Sequence, residues 1–234
     1  MCAAAAPNPR ADFEALAEEA RRRPWALSVE HQSAQTEITV TDWVFANAIL
    51  GQLYYPFVYE RLPQRIAAIR SGRSDVLASM IGLGGSDFAQ LQRIAVWCNE
   101  EYPFEDRERI RAQQRAYRAF GGVDQATTPV GVCEATGLSA RPAARENLAL
   151  QTDIPVLIFA GEFDAATPPD WQAAMAQSMS RGRLVLVRGG GHGAGFAACA
   201  FPMTVAFLAD PHAALTDACA SAPSEADFAR GVQQ

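Results

Sequence analysis

At 234 residues the chain has room for one large domain or a domain carrying an insertion, and a composition of 49% hydrophobic and 20% charged residues is that of a folded globular protein. A net charge of −6 and a pI near 5.1 argue against nucleic acid and anionic membrane as partners. All 20 basic residues are arginine, which excludes lysine Schiff-base chemistry and a P-loop lysine.

No apolar run reaches the roughly 20 residues of a membrane span, and the opening MCAAAAPNPR lacks the basic region and apolar length of a signal peptide. From there to residue 120 the pattern reads as mainly helical. ADFEALAEEARRR places Phe13, Leu16 and Ala20 on one helical stripe. TEITVT (36 to 41) is a short strand-like piece. In the following TDWVFANAILGQLYYPFVYERLPQRIAAIRSG, Thr41 or Asp42 can cap a helix, and Pro56 and Pro63 divide the segment into two or three helices. SDFAQLQRIAVWC (86 to 98) repeats the helical spacing with Phe88, Leu91, Ile94 and Ala95. GGVDQATTPVGVCEATGLSARPAA, from 121, reads as a long loop.

The character changes near residue 150. IPVLIFAG (154 to 161) is a continuous apolar run ending in glycine, as expected of a parallel strand covered on both faces. A helix follows, with Thr167 as its expected N-cap, Pro168 and Pro169 in its first turn and Asp170 completing a capping-box pattern. Trp171, Ala174, Met175 and Met179 are its expected buried stripe. RLVLV (183 to 187) is a second strand and residues 197 to 209 a closing helix. Strand, helix, strand, helix implies right-handed parallel connections. Two parallel strands make a poor sheet by themselves, since both edges stay unpaired. The fold class expected is α/β, with further strands to come from elsewhere.

Asp164 lies just past the first strand and His192 just past the second, where catalytic groups gather in parallel α/β folds. An aspartate there can hold an imidazole in one tautomer and stabilise the imidazolium. Gly189, Gly190, Gly191 and Gly193 surround His192, so its backbone can adopt conformations closed to other residues. Alone, Asp164 reads equally as a turn aspartate and His192 as a surface histidine. Their order, acid then base, each after a strand, is that of a Ser-Asp-His hydrolase. His31 and His212 lack comparable settings and are expected to be solvated.

The nucleophile is missing. No GxSxG elbow occurs; the nearest sequence, GLGGSDF (82 to 88), has Phe88 in place of the last glycine, and Ser86 fits a helix cap better. Five cysteines are present, without a CxxC or Cys/His cluster, so structural zinc is not expected. No cofactor is expected. Five reduced thiols in a cytosolic enzyme is one reading. An odd count in an exported protein, with Cys2 left over, is the other.

GEFDAATPP, the GGGHG loop and CNEEYPF together resemble the tripeptidyl-aminopeptidase-like branch of the α/β-hydrolases, relatives of proline iminopeptidases, over nearly the whole chain. The resemblance implies a partial α/β-hydrolase fold: residues 1–148 a mainly helical cap with a following loop, 149–234 the C-terminal part of the core. It implies Asp164 and His192 as triad acid and base, and disulfides Cys98 with Cys133 and Cys199 with Cys219. Cys2 resembles the second member of a close pair. Glu100, with Glu101 second, would bind the α-ammonium group of a peptide substrate's N-terminus; a solvated acidic turn is the plain alternative. Relatives carry the serine elbow in an N-terminal segment that this sequence does not contain. The chain is therefore expected to be a fragment, a mis-started frame or half of a split protein, inactive alone and secreted or envelope-located when whole. A non-catalytic binding module, or part of a hydrolase acting on esters or other small substrates, are the alternatives.

Overall fold

A computed structural model describes residues 6–31, 33–81, 90–120, 130–138 and 148–222. Helix α1 (Pro9–Arg22) is capped by Asn8, whose side chain accepts the Ala11 N–H at 3.2 Å, with Pro9 in the first turn. Phe13, Leu16, Ala17 and Ala20 are buried, the expected stripe extended by one residue.

A strand interrupts the helical reading of residues 11 to 120. β1 (Trp25–His31) pairs antiparallel with β2 (Ala34–Val40). Its signal is the two-residue alternation of WALSVEH: Leu27 and Val29 are buried, Ser28 and Glu30 exposed. The register pairs His31 with Ala34, and Ser33 in the two-residue connection takes φ of 66°, the left-handed conformation such turns demand.

Three helices follow: α2 (Asp42–Gly51), α3 (Pro56–Tyr59) and α4 (Leu62–Arg70). Thr41 Oγ1 accepts the Val44 N–H at 3.3 Å as the cap of α2, and the two prolines open α3 and α4. α5 (Ser74–Ala78) packs on β1. The ring of Phe45 on α2, fully buried, stacks on Phe13 of α1 at 5.7 Å between centroids.

α6 (Gln90–Val96) runs into a π-helical turn, Trp97–Glu101, and a 3₁₀ turn, Tyr102–Phe104. Ile94 packs on Cys98, Tyr102 and Cys133, whereas Leu91 is 84% exposed, so the expected stripe is only partly buried. α7 (Arg107–Ala116) is capped by Asp106. The long loop from 121 is corrected in part: Val130–Thr136 form helix α8, anchored through Cys133 to Cys98 and through Glu134 to Tyr102 and Arg107. Cys2, Ser86 and Phe88 lie outside the described residues, as does the side chain of His31.

The chain divides into two compact units, one of Asn8–Ile49 and Ile66–Leu148, the other of Met1–Pro7, Leu50–Arg65 and Ala149–Gln234. In the latter, β3 (Val156–Gly161) and β4 (Gly182–Val187) pair in parallel, Val156 opposite Gly182 and Gly161 opposite Val187, with α9 (Pro169–Gln177) between them in the chain. Phe159, Val185 and Val187 pack against Ala194, Ala200 and Met203 of a 3₁₀ turn (Ala194–Phe196) and α10 (Ala200–Ala209). A second disulfide ties Cys199, ahead of α10, to Cys219 on α11 (Ala218–Ser221). Among the described residues no third strand joins the pair, and Leu184 and Leu186 of β4 stay exposed.

Two expectations about α9 are corrected. Trp171 is 65% exposed and Ala174 and Met175 are exposed too; only Met179, beyond the helix, is buried. The half-buried residues are Gln172, Ala173 and Ala176, small or flexible enough to lie close on the strands. The helix starts at Pro169 without a side-chain cap, because the hydroxyl of Thr167 is used on Asp164 instead.

Candidate active site

The turn after β3 begins with Gly161, whose replacement by any residue with a Cβ would set that atom 2.3 Å from the Gly191 carbonyl oxygen. Close approach of two backbones is thus built into the site at this point. Three residues on, Asp164 is buried, and its carboxylate organises the turn. Oδ1 accepts the N–H groups of Ala166 at 2.9 Å and Thr167 at 2.8 Å, and Oδ2 accepts the Thr167 hydroxyl at 2.8 Å. An Asx-type turn of this kind is what DAAT encodes locally. Here the same carboxylate also meets the imidazole: His192 Nδ1 lies 3.2 Å from both oxygens.

His192 is carried by the loop after β4. Its N–H donates to the Tyr54 carbonyl at 2.7 Å, and the Tyr54 ring meets the imidazole edge-on at 5.4 Å between centroids. Gly191 has no room for a side chain, since a Cβ there would stand 2.4 Å from the Tyr54 oxygen. The turn and the loop are also joined directly. Phe163 N–H donates to the Gly190 carbonyl at 2.8 Å, and Gly189 N–H to Glu162 Oε2 at 2.7 Å. Tyr59 Oη donates to the Gly189 carbonyl at 2.6 Å.

An ionised carboxylate only accepts hydrogen bonds, so Nδ1 of His192 carries the proton, and in a neutral imidazole Nε2 then keeps a lone pair. The His192 side chain is 40% exposed against 4% for Asp164: one partner is sheltered, the other open. A cleft of about 600 Å³ adjoins the imidazole, walled by Tyr55, Pro56, Phe57, Ala194 and Phe196. Burial by itself would raise the Asp164 carboxyl. The N–H and hydroxyl of Thr167, the Ala166 N–H and His192 outweigh it, and the group is held below the ordinary carboxylate range.

That direction fixes a pH dependence. A carboxyl depressed by folding stabilises the folded state above its unfolded value, near pH 3.9, and this contribution is lost as pH falls through the lower folded value. Urea midpoints measured between pH 2 and 6 are expected to fall less steeply below about pH 4 in Asp164→Asn than in the parent. Equal acid limbs would contradict it.

Glu100 and Glu101 lie in the other unit, both exposed, in the π-helical turn that Cys98 fastens to Cys133. The same neighbourhood is stitched by Tyr102, whose hydroxyl donates to Glu134 at 2.9 Å while the Arg107 guanidinium sits 4.3 Å over its ring. Burial and the bond to Glu134 raise the Tyr102 hydroxyl, and Tyr102 and Arg107 lower the Glu134 carboxyl. The sulfurs of Cys98 and Cys133 are 2.03 Å apart and those of Cys199 and Cys219 2.23 Å. His212 is exposed. Among the described residues no group of three or more histidine, cysteine or acidic side chains could hold a metal. Sequence reasoning missed Tyr54, Tyr59, Glu162 and Thr167 as parts of the site. For the last two the signal was present, in GEFDAAT itself; for the tyrosines nothing local announced them.

Residues 118–219 match the family described as TAP-like protein, a match that supports a hydrolase of the α/β-hydrolase type. No curated protein and no solved structure matches the chain.

Proposed function

We propose, from the TAP-like match of residues 118–219, that this chain is the cap and C-terminal core of a serine hydrolase whose nucleophile belongs to a segment outside these 234 residues. The observation that carries the reading is the Asp164–His192 pair, with Nδ1 engaged and no hydrogen-bond partner on Nε2 among the described residues. His192 Nε2 takes the proton of the serine hydroxyl as its oxygen bonds to the peptide carbonyl carbon. Asp164 holds the ring and stabilises the imidazolium. The imidazolium then gives its proton to the leaving amine as the C–N bond breaks. Water, deprotonated in turn by His192, releases the acyl group and regenerates the serine.

The substrate end is the N-terminus of a peptide, cut to release amino acids or di- and tripeptides. Glu100, with Glu101 beside it, binds the α-ammonium group by charge-assisted hydrogen bonding. The two sulfur pairs fit an oxidising, extracytoplasmic setting, and no helix among the described residues is long and apolar enough to cross a membrane.

A reading frame extended upstream of Met1 tests this. The extended protein is expected to hydrolyse tripeptidyl p-nitroanilides and to be labelled by a fluorophosphonate, and the 234-residue chain to do neither. Labelling of the shorter chain would overturn the missing nucleophile. Cleavage of p-nitrophenyl esters without cleavage of peptides would overturn the exopeptidase assignment.

A further inference from the structure

We infer that Glu162, together with Tyr59, is a positioning residue that keeps the His192 loop in register with Asp164. The loop that delivers the imidazole opens with Gly189, Gly190 and Gly191, three residues with little backbone preference of their own. A base must nevertheless be held within about 0.5 Å of its working position. The restraint comes from outside the loop. Glu162 Oε2 accepts the Gly189 N–H at 2.7 Å, and Tyr59 Oη donates to the carbonyl of the same residue at 2.6 Å. Both backbone groups of Gly189 are thus held by side chains, one negatively charged and one buried against the edge of the Phe163 ring at 6.0 Å between centroids. Charge-assisted acceptance is about twice as strong as a neutral bond.

Glu162 stands two residues before Asp164. One turn therefore carries both the group that meets the imidazole and the group that holds the imidazole's loop. Main-chain bonds from Phe163 to Gly190 and from His192 to Tyr54 complete the attachment, but they survive most substitutions. Glu162 and Tyr59 are the points at which a side-chain change acts on His192 from a distance. The claim concerns the geometry of His192; its catalytic consequence rests on the function proposed above.

The test needs no activity and uses the 234-residue chain. Nitrogen-15 NMR of the imidazole, assigned by its disappearance in His192→Gln, reads the tautomer. The parent is expected in the Nδ1–H form that Asp164 demands. Glu162→Gln keeps an acceptor oxygen and is expected to keep that form, whereas Glu162→Ala is expected to lose it in favour of the Nε2–H form of free histidine. Unchanged indole signals of Trp97 show that the other unit is intact. A folded Glu162→Ala with the parent's tautomer, or a folded Glu162→Gln that loses it, overturns the inference. Should Glu162→Ala fail to fold, Tyr59→Phe decides: loss of the Nδ1–H form supports the role, retention overturns it. None of these outcomes depends on whether the extended protein proves to be a peptidase.

Discussion

If the chain works as proposed, with a serine supplied by a further segment, Asp164→Asn in the combined hydrolase is expected to lower kcat on the order of 10⁴-fold, the loss typical of an acid-to-amide change in a serine triad. The physical argument is one of proton placement. The carboxylate accepts at both oxygens from Ala166, Thr167 and His192. An amide of the same shape keeps the acceptor half of this pattern and so preserves the turn. Its NH₂ half cannot accept from Nδ1–H and instead favours the tautomer with a lone pair on Nδ1 and the proton on Nε2. That imidazole cannot take a proton from serine. KM should change far less than kcat, because nothing in the turn is assigned to substrate binding. A kcat within tenfold of the parent would remove Asp164 from the role of orienter.

Cys133→Ala is expected to destabilise the unit of residues 8–49 and 66–148 by about 3–4 kcal/mol, and reduction of the parent to do the same. The bond closes a 35-residue loop, which in the chain-entropy account places the value in that range. Both cysteines are fully buried, with Trp97 and Leu138 packed around them, so the change also leaves an unfilled space. Urea unfolding followed by tryptophan fluorescence, to which this unit contributes Trp25, Trp43 and Trp97, with and without reductant, measures the loss. Thiol titration of the unfolded, unreduced chain separates the two readings of the cysteines. One reactive thiol, Cys2, is expected with both bridges closed, against five in a fully reduced protein. Coincident unfolding curves with and without reductant would show that the pair does not hold this unit together.

The glutamates of CNEEYPF acquire their setting from that same bridge. Glu100 and Glu101 stand on the turn it anchors, with Tyr102, Arg107 and Glu134 bracing the far side. If they bind an α-ammonium group, opening the disulfide should weaken substrate capture before it abolishes folding. On the other unit Leu184 and Leu186 of β4 and Phe201, Val205 and Leu208 of α10 are exposed.

Much of this was legible along the chain because it is encoded locally. IPVLIFAG and RLVLV are strand signals by themselves, Pro56 and Pro63 fit the first turn of a helix, and DAAT builds its own turn around a carboxylate. The same local logic showed Asp164 and His192 at strand ends. It failed where burial depends on partners distant in sequence. Trp171 and Met175 have the spacing of a buried stripe yet lie open, since spacing names a face without saying what will cover it. WALSVEH carried a clean alternation but was read through the helices on either side. By itself, then, the sequence determined the α/β alternation, the two strand-end loops and the residue types they present. Only the tertiary structure decided that residues 54 and 59, more than a hundred positions upstream, would hold the His192 loop, and that Glu162 would close it from the other side. Periodicity and turn chemistry act over a few residues, whereas a glycine loop has no preferred position until distant side chains and backbone atoms supply the hydrogen bonds that give it one.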